Sequence, residues 1–242
     1  MTARTAIVTG GGSGVGAAIA LALAQEGYGL RLIGRRLHAL QGVAGQAISK
    51  GVTAVCHAVD LANDAALRRL CAELSGQPAH VLVHSAGSLA RAPIEKGSLA
   101  DFDTQQHVNL RAPYALTQAL LPSLKSGKGE VVFVNSSSGL TAKAGGSGYD
   151  SSKHGLRALA DSLRQEVNAD SVRVLSLYLG QTATAMQENL AAQLGNDYHP
   201  ERLIQPTDVA TAVLAMLRLP RTAEVTDLHI RPCWPESLDR RR

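Results

Sequence analysis

With 242 residues, of which 45% are hydrophobic and 18% charged, the chain is long and apolar enough to bury a sizeable core, which excludes a disordered or low-complexity protein. Three of the four formal net positive charges belong to Arg240, Arg241 and Arg242, and aromatic residues make up only 3%, so neither charge nor stacking platforms point to nucleic acid. Cys56, Cys71 and Cys233 are odd in number and lack CxxC or metal-ligand spacing, and the eight histidines are scattered, which argues against a disulfide framework or a metal centre and for a reducing compartment.

In chain order, the opening MTARTAIVTGGG breaks its apolar run at once with glycines, so it reads as a buried strand and not as a signal peptide or membrane span. A cytoplasmic protein with no membrane partner is the expectation. Further apolar runs follow at 30–33, 53–59, 80–84, 130–135, 172–178 and 225–230, and stretches of helical periodicity separate most of them. One such stretch carries Leu156, Leu159, Leu163 and Val167 on a single stripe, with Arg157, Asp161 and Arg164 turned elsewhere. Strands alternating with helices predict an α/β fold: a doubly wound, Rossmann-type parallel sheet of about seven strands with helices on both faces. No linker divides residues 1–242, which read as a single domain with a basic C-terminal tail at 239–242. The strand-free segment at 183–206 has two readings, a substrate lid or an extra packed helix.

TGGGSGVG, from Thr9 to Gly16, joins the first strand to the first helical pattern. Glycines there let the backbone N–H groups of Gly10, Gly12, Ser13, Gly14, Val15 and Gly16 approach a phosphate at a helix N-terminus. An NAD site commonly has an acid about 20 residues further on, against the ribose 2′-hydroxyl. Here Gly27 to Val59 contains no Asp or Glu, while the second strand ends in Arg35 and Arg36. Guanidinium groups pair with a 2′-phosphate that a carboxylate would repel, which predicts NADP(H). Solvated loop cations are the alternative for Arg35 and Arg36.

Two further features stand out. Tyr149 and Lys153 in YDSSK fall on one face if a helix begins here, and by itself that spacing also fits an ordinary surface pair. Pro113 has no N–H to offer the carbonyl of Asn109 four residues earlier, so a helix across this point is interrupted.

TGGGSGVG, HSAG after the fourth strand, VNL at 108–110, NSSSG at 135–139, YDSSK at 149–153 and LGQTATAM at 179–186 resemble, in order, the motifs of the short-chain dehydrogenase/reductase family. The resemblance covers nearly the whole chain and points to the family's compact branch. It implies a catalytic set of Asn109, Ser136, Tyr149 and Lys153. Tyr149 would exchange a proton with a carbonyl or alcohol oxygen while hydride passes to or from the nicotinamide; Lys153 would stabilise the phenolate and reach the nicotinamide ribose. In similar sequences the serine stands three residues before the glycine and thirteen before the tyrosine, and both counts select Ser136. Ser138 is a second pocket contact. The resemblance also assigns cofactor contacts to Asp60 and Leu61 after the third strand, to Ser85, Ala86 and Gly87, and to Gly180, Thr182 and Thr184. An aspartate at a strand end is alternatively a helix cap. Two departures are Ser85, where the family has asparagine, and Leu179, where it has proline. The chain ends without the glycine-bearing tail of tetrameric relatives, and homodimer and homotetramer both stay open. The expected substrate is a small carbonyl compound or alcohol. A dinucleotide-binding regulator of the same fold without turnover is the alternative, and a nucleotide-sugar epimerase is disfavoured because no separate substrate domain fits.

Overall fold

The computed structural model describes residues 4–234, so the tail at 239–242 lies outside the described residues. Its centre is one parallel sheet of seven strands: β1 (Thr5–Thr9), β2 (Gly29–Gly34), β3 (Ala54–Ala58), β4 (Val81–His84), β5 (Glu130–Ser136), β6 (Arg173–Leu179) and β7 (Asp227–Ile230). Each of the seven overlaps one of the apolar runs read from the sequence, with ends differing by no more than two residues. The spatial order is β3-β2-β1-β4-β5-β6-β7. Val8 of β1 stands opposite Leu32 of β2 on one side and Val83 of β4 on the other. The chain therefore reverses its direction of winding beside β1, and in such sheets the ligand crevice forms at that switch point.

Alternation along the strands builds two cores. Ala6, Val8, Leu30, Leu32, Val81 and Val83 point to one face, where α1 (Gly14–Gln25), α2 (Leu37–Ile48) and α8 (Pro206–Leu217) cover them. Ile7, Ile33, Leu82, Val131 and Phe133 point to the other, beneath α3 (Asp64–Leu74), α5 (Ala112–Ser126) and α6 (Ser147–Val167). Central strands are apolar on consecutive residues because both faces are dry. Each fully buried aliphatic or Phe side chain contributes about 1.5–3 kcal/mol over leaving it in water.

Helix starts follow local chemistry. Asn63 caps α3 by accepting the N–H of Ala66, and Ser98 caps α4 (Leu99–Gln106) by accepting that of Asp101. Between α4 and α5 the helix widens into a π turn, His107–Arg111, closed by Ala112 N–H donating to the His107 carbonyl. The wide turn stands directly before Pro113, where the ordinary i→i+4 bond to Asn109 has no donor. Residues 183–203 leave the sheet after β6 and carry α7 (Ala185–Leu194). Their base is pinched by a bridge between Thr182 and Ile204, with Ala183 N donating to the Ile204 carbonyl at 2.8 Å. Among the described residues no helix is long and apolar enough to cross a membrane.

Candidate active site

A cavity of about 2710 Å³ opens at the carboxyl ends of the strands. Gly10, Arg35, Asp60, Ser85, Ser136 and Gly180 line it, one from each of the first six strand ends. Parallel strands deliver all their C-terminal loops to one edge, which is why residues so far apart in sequence meet here.

At one end lies the glycine turn. Gly10 has φ of +66°, and a Cβ there would sit 2.9 Å from the Ala86 nitrogen. At Gly16 a Cβ would fall 2.4 Å from the Gly10 carbonyl oxygen. Only hydrogen fits at these two positions, so the turn closes tightly and leads straight into α1. Thr9 fastens the turn to the end of β4, its Oγ1 accepting the N–H groups of Ser85 and Ala86 at 3.0 and 3.1 Å. Thr9 thus ties β1 to β4 beside Ser85, the position where an asparagine was expected.

Arg35 and Arg36 line the same end, and Arg36 reaches back to Ser13 Oγ at 3.4 Å. Asp60 lines it too, with Oδ1 accepting the N–H of Ala62; the cap of α3 is Asn63, so Asp60 is not that helix's cap. Leu61 is buried in the core below. Thr184 caps α7, accepting the Gln187 N–H, and its side chain abuts Gly14. The phosphate turn and the 183–203 excursion therefore touch. A glycine cradle without room for a side chain, beside two guanidinium groups and with no carboxylate between residues 27 and 59, fits a dinucleotide carrying a 2′-phosphate.

The far wall comes from β5 and α6. Ser136 ends β5, and its hydroxyl accepts the N–H of Ser138 at 3.1 Å. One helical turn of α6 sets Tyr149 and Lys153 on the same face, the ammonium 5.8 Å from the ring centre. Lys153 is 4% exposed and donates to the Val134 carbonyl at 3.1 Å. Burial lowers its pKa to about 8. Burial also raises the Tyr149 phenol; a hydrogen bond with Ser136 and the charge of Arg91 pull it down, while Asp150 adds to the rise. In this wall Arg91 is a cation whose charge favours the phenolate.

All the other expected site residues line the cavity, but Asn109 does not. It is 1% exposed and stands behind the wall. Its Oδ1 accepts Ser88 N–H at 2.8 Å, while Nδ2 donates to the Ser88 carbonyl and to Ser152 Oγ, both at 2.9 Å. Asn109 thereby bolts the loop after β4 to the helix that carries Tyr149 and Lys153.

Arg91 and Asp150 escaped sequence reasoning. Asp150 is 1% exposed; Oδ2 accepts the Lys143 N–H at 2.7 Å, and Oδ1 lies 3.4 Å from Arg91 Nη2. The same Nη2 lies 3.3 Å from Ser138 Oγ. The one available signal was an arginine shortly after HSAG and an acid next to the tyrosine; nothing in their spacing, 59 residues apart, says that they meet.

The model of the short chain dehydrogenase family matches residues 4–195. An uncharacterized oxidoreductase of Staphylococcus aureus (strain USA300) is 29% identical over 235 residues, covering 96% of this chain and 98% of that protein. Among solved structures, an alcohol dehydrogenase from the archaeon Thermococcus sibiricus, complexed with 5-hydroxy-NADP, superposes with a TM-score of 0.86 at 28% identity, covering 96% of this chain and 98% of the other. A metagenomic short-chain oxidoreductase in complex with NADP gives 0.80 at 28%, with the same two coverages. Serine dehydrogenase from Escherichia coli gives 0.77 at 25%, covering 95% and 98%. Since the family model spans most of the chain and its relatives align nearly end to end, this protein belongs to the short-chain dehydrogenase family of oxidoreductases.

Proposed function

We propose that this chain, as one domain with the 183–206 segment as its lid, is an NADP(H)-dependent oxidoreductase that interconverts a small ketone or aldehyde and the corresponding alcohol. The observation that carries the reading is the common cavity: the glycine turn, Arg35 and Arg36 at one end face Ser136, Tyr149 and Lys153 at the other. Two family structures that align over nearly the whole chain were solved with NADP or a derivative of it. Gly10, Gly12, Ser13, Gly14, Val15 and Gly16 hold the pyrophosphate, and Arg35 and Arg36 the 2′-phosphate. Asp60, Leu61, Ser85, Ala86 and Gly87 border the adenosine side, and Gly180, Thr182 and Thr184 the nicotinamide side. When bound, the nicotinamide supplies or accepts the hydride.

In reduction Tyr149 gives its hydroxyl proton to the carbonyl oxygen, and in oxidation it takes the proton back. Burial keeps the phenol protonated at neutral pH, the state a proton donor needs. Ser136 donates a hydrogen bond to the same oxygen and stabilises the charge that develops there. Lys153, still charged at pH 7 with a pKa of about 8, offsets negative charge on Tyr149 once its proton has left. Asn109 works from behind, fixing the loop and helix against each other.

Following NADPH oxidation against a panel of aldehydes and ketones tests this reading. Turnover of at least some is expected; tight NADPH binding with none turned over identifies a dinucleotide-binding regulator instead. A second prediction concerns the coenzyme. Arg35→Ala with Arg36→Ala should raise the KM for NADPH about 10²- to 10⁴-fold, since each of the two lost charged hydrogen bonds is worth roughly 1.5–3 kcal/mol, and leave the KM for NADH within a few fold. Unchanged NADPH preference in steady-state kinetics would remove both arginines from the 2′-phosphate.

A further inference from the structure

The wall above Ser136 and Tyr149 carries a cation for which hydride transfer has no need. Arg91 lines the cavity, four-fifths of its side chain is buried, and its position is fixed from several directions. On one side the Ala90 N–H donates to Gln105 Oε1 at 3.1 Å; on the other the Ala92 N–H donates to the Gly145 carbonyl at 3.0 Å. Asp150 holds the guanidinium from below through Nη2, and Ser138 holds the same nitrogen. Among the described residues Nε and Nη1 make no protein hydrogen bond, so two of the three guanidinium nitrogens keep donors for a ligand.

Charge counts the same way. Asp150 is buried behind the wall and does not line the cavity, whereas Arg91 and Lys143 both do. Arg91, Lys143 and Lys153 against one hidden carboxylate leave the space next to Ser136 and Tyr149 net positive. Burying a carboxylate is costly unless it is paired, so Asp150 reads as the brace that keeps Arg91 aimed and partly desolvated. Guanidinium N–H groups donate strong, charge-assisted hydrogen bonds to carboxylate oxygens, and a net positive wall favours an anionic over a neutral carbonyl compound.

Resting on the reductase reading above, we infer that Arg91, with Lys143 beside it, is an anion subsite, and that the substrate is a short oxo acid or the corresponding hydroxy acid. Its carboxylate meets the unbonded N–H groups of Arg91 while its carbonyl oxygen meets Ser136 and Tyr149. The carboxylate thus selects and orients the substrate without entering the chemistry.

The test compares 2-, 3- and 4-oxo acids of three to six carbons with their methyl esters, using NADPH and the full chain. Wild-type enzyme should favour at least one acid over its ester in kcat/KM. Arg91→Met should shrink that acid-to-ester ratio on the order of 10- to 100-fold, chiefly through KM for the acid, with Arg91→Lys recovering part of it. Should Arg91→Met fail to fold, Lys143→Ala should shrink the ratio several-fold on its own. Butyrate binding to the NADP complex, read by calorimetry, should weaken in parallel. Esters reduced as well as or better than acids, an equal loss on both after Arg91→Met, or preference for a phosphorylated carbonyl compound would each overturn the carboxylate subsite while leaving the reductase intact. No turnover of acid or ester by an enzyme that reduces other aldehydes or ketones would overturn the subsite alone, and no turnover of any carbonyl compound would overturn the subsite and the reductase reading together.

Discussion

Replacing Tyr149 by Phe is expected to lower kcat for carbonyl reduction by about 10³-fold or more, the upper part of the range for losing a positioned acid-base group. The ring stays and only the hydroxyl goes, so the packing of α6 against β5 is preserved. NADPH affinity, measured by fluorescence titration, should stay within a few fold of wild type. This pairing of outcomes matters because a purely structural defect would lower both. Ser136 still donates to the substrate oxygen in the variant, but the developing alkoxide has no proton to receive at that position. A variant retaining a tenth or more of wild-type turnover would mean that the proton comes from elsewhere.

Lys153→Met is the second large effect, with an expected fall in kcat of about 10²- to 10³-fold. Its sign on stability is the opposite of what a buried, hydrogen-bonded residue suggests. The folded pKa of Lys153 is lowered to about 8, below its ordinary value of 10.5, so the folded protein holds that proton less tightly than the unfolded chain does. Charged Lys153 therefore costs stability below pH 8, on the order of 3 kcal/mol, and the cost fades as pH rises from about 8 to 10.5. The methionine variant should melt no lower than wild type at pH 7, despite losing the bond to the Val134 carbonyl. In the wild type, kcat/KM for reduction should fall above about pH 8 as the ammonium loses its proton. A melting temperature many degrees lower in Lys153→Met would overturn the stability sign, and a pH profile flat to pH 10 would remove the charge on Lys153 from the mechanism.

Both predictions depend on placement that unequal parts of the protein supply. Strand positions were legible because each strand is a short apolar run bounded by turn residues, and Leu156, Leu159, Leu163 and Val167 announced α6 by their period. The phosphate turn was legible because Gly10 and Gly16 are dictated by local backbone geometry, which sequence carries directly. The Asn109 carbonyl also betrayed itself locally, through Pro113. Asn109's side chain did not: whether it faces the cavity or bolts Ser88 to Ser152 depends on how α4, the π turn and α6 pack together.

What the sequence by itself determined is therefore the set of groups with covalent or one-turn relations: the glycine turn, the Tyr149–Lys153 face and the missing acid before Val59. The tertiary structure alone decided which distant groups share a wall. Arg91 and Asp150 belong to a loop and a helix brought together by one crossover of the sheet, and their attraction is only realised once folding has removed the water between them. A charge pair of this kind has no period, cap or fixed spacing, because its energy comes from burial and through-space distance, neither of which is written along the chain.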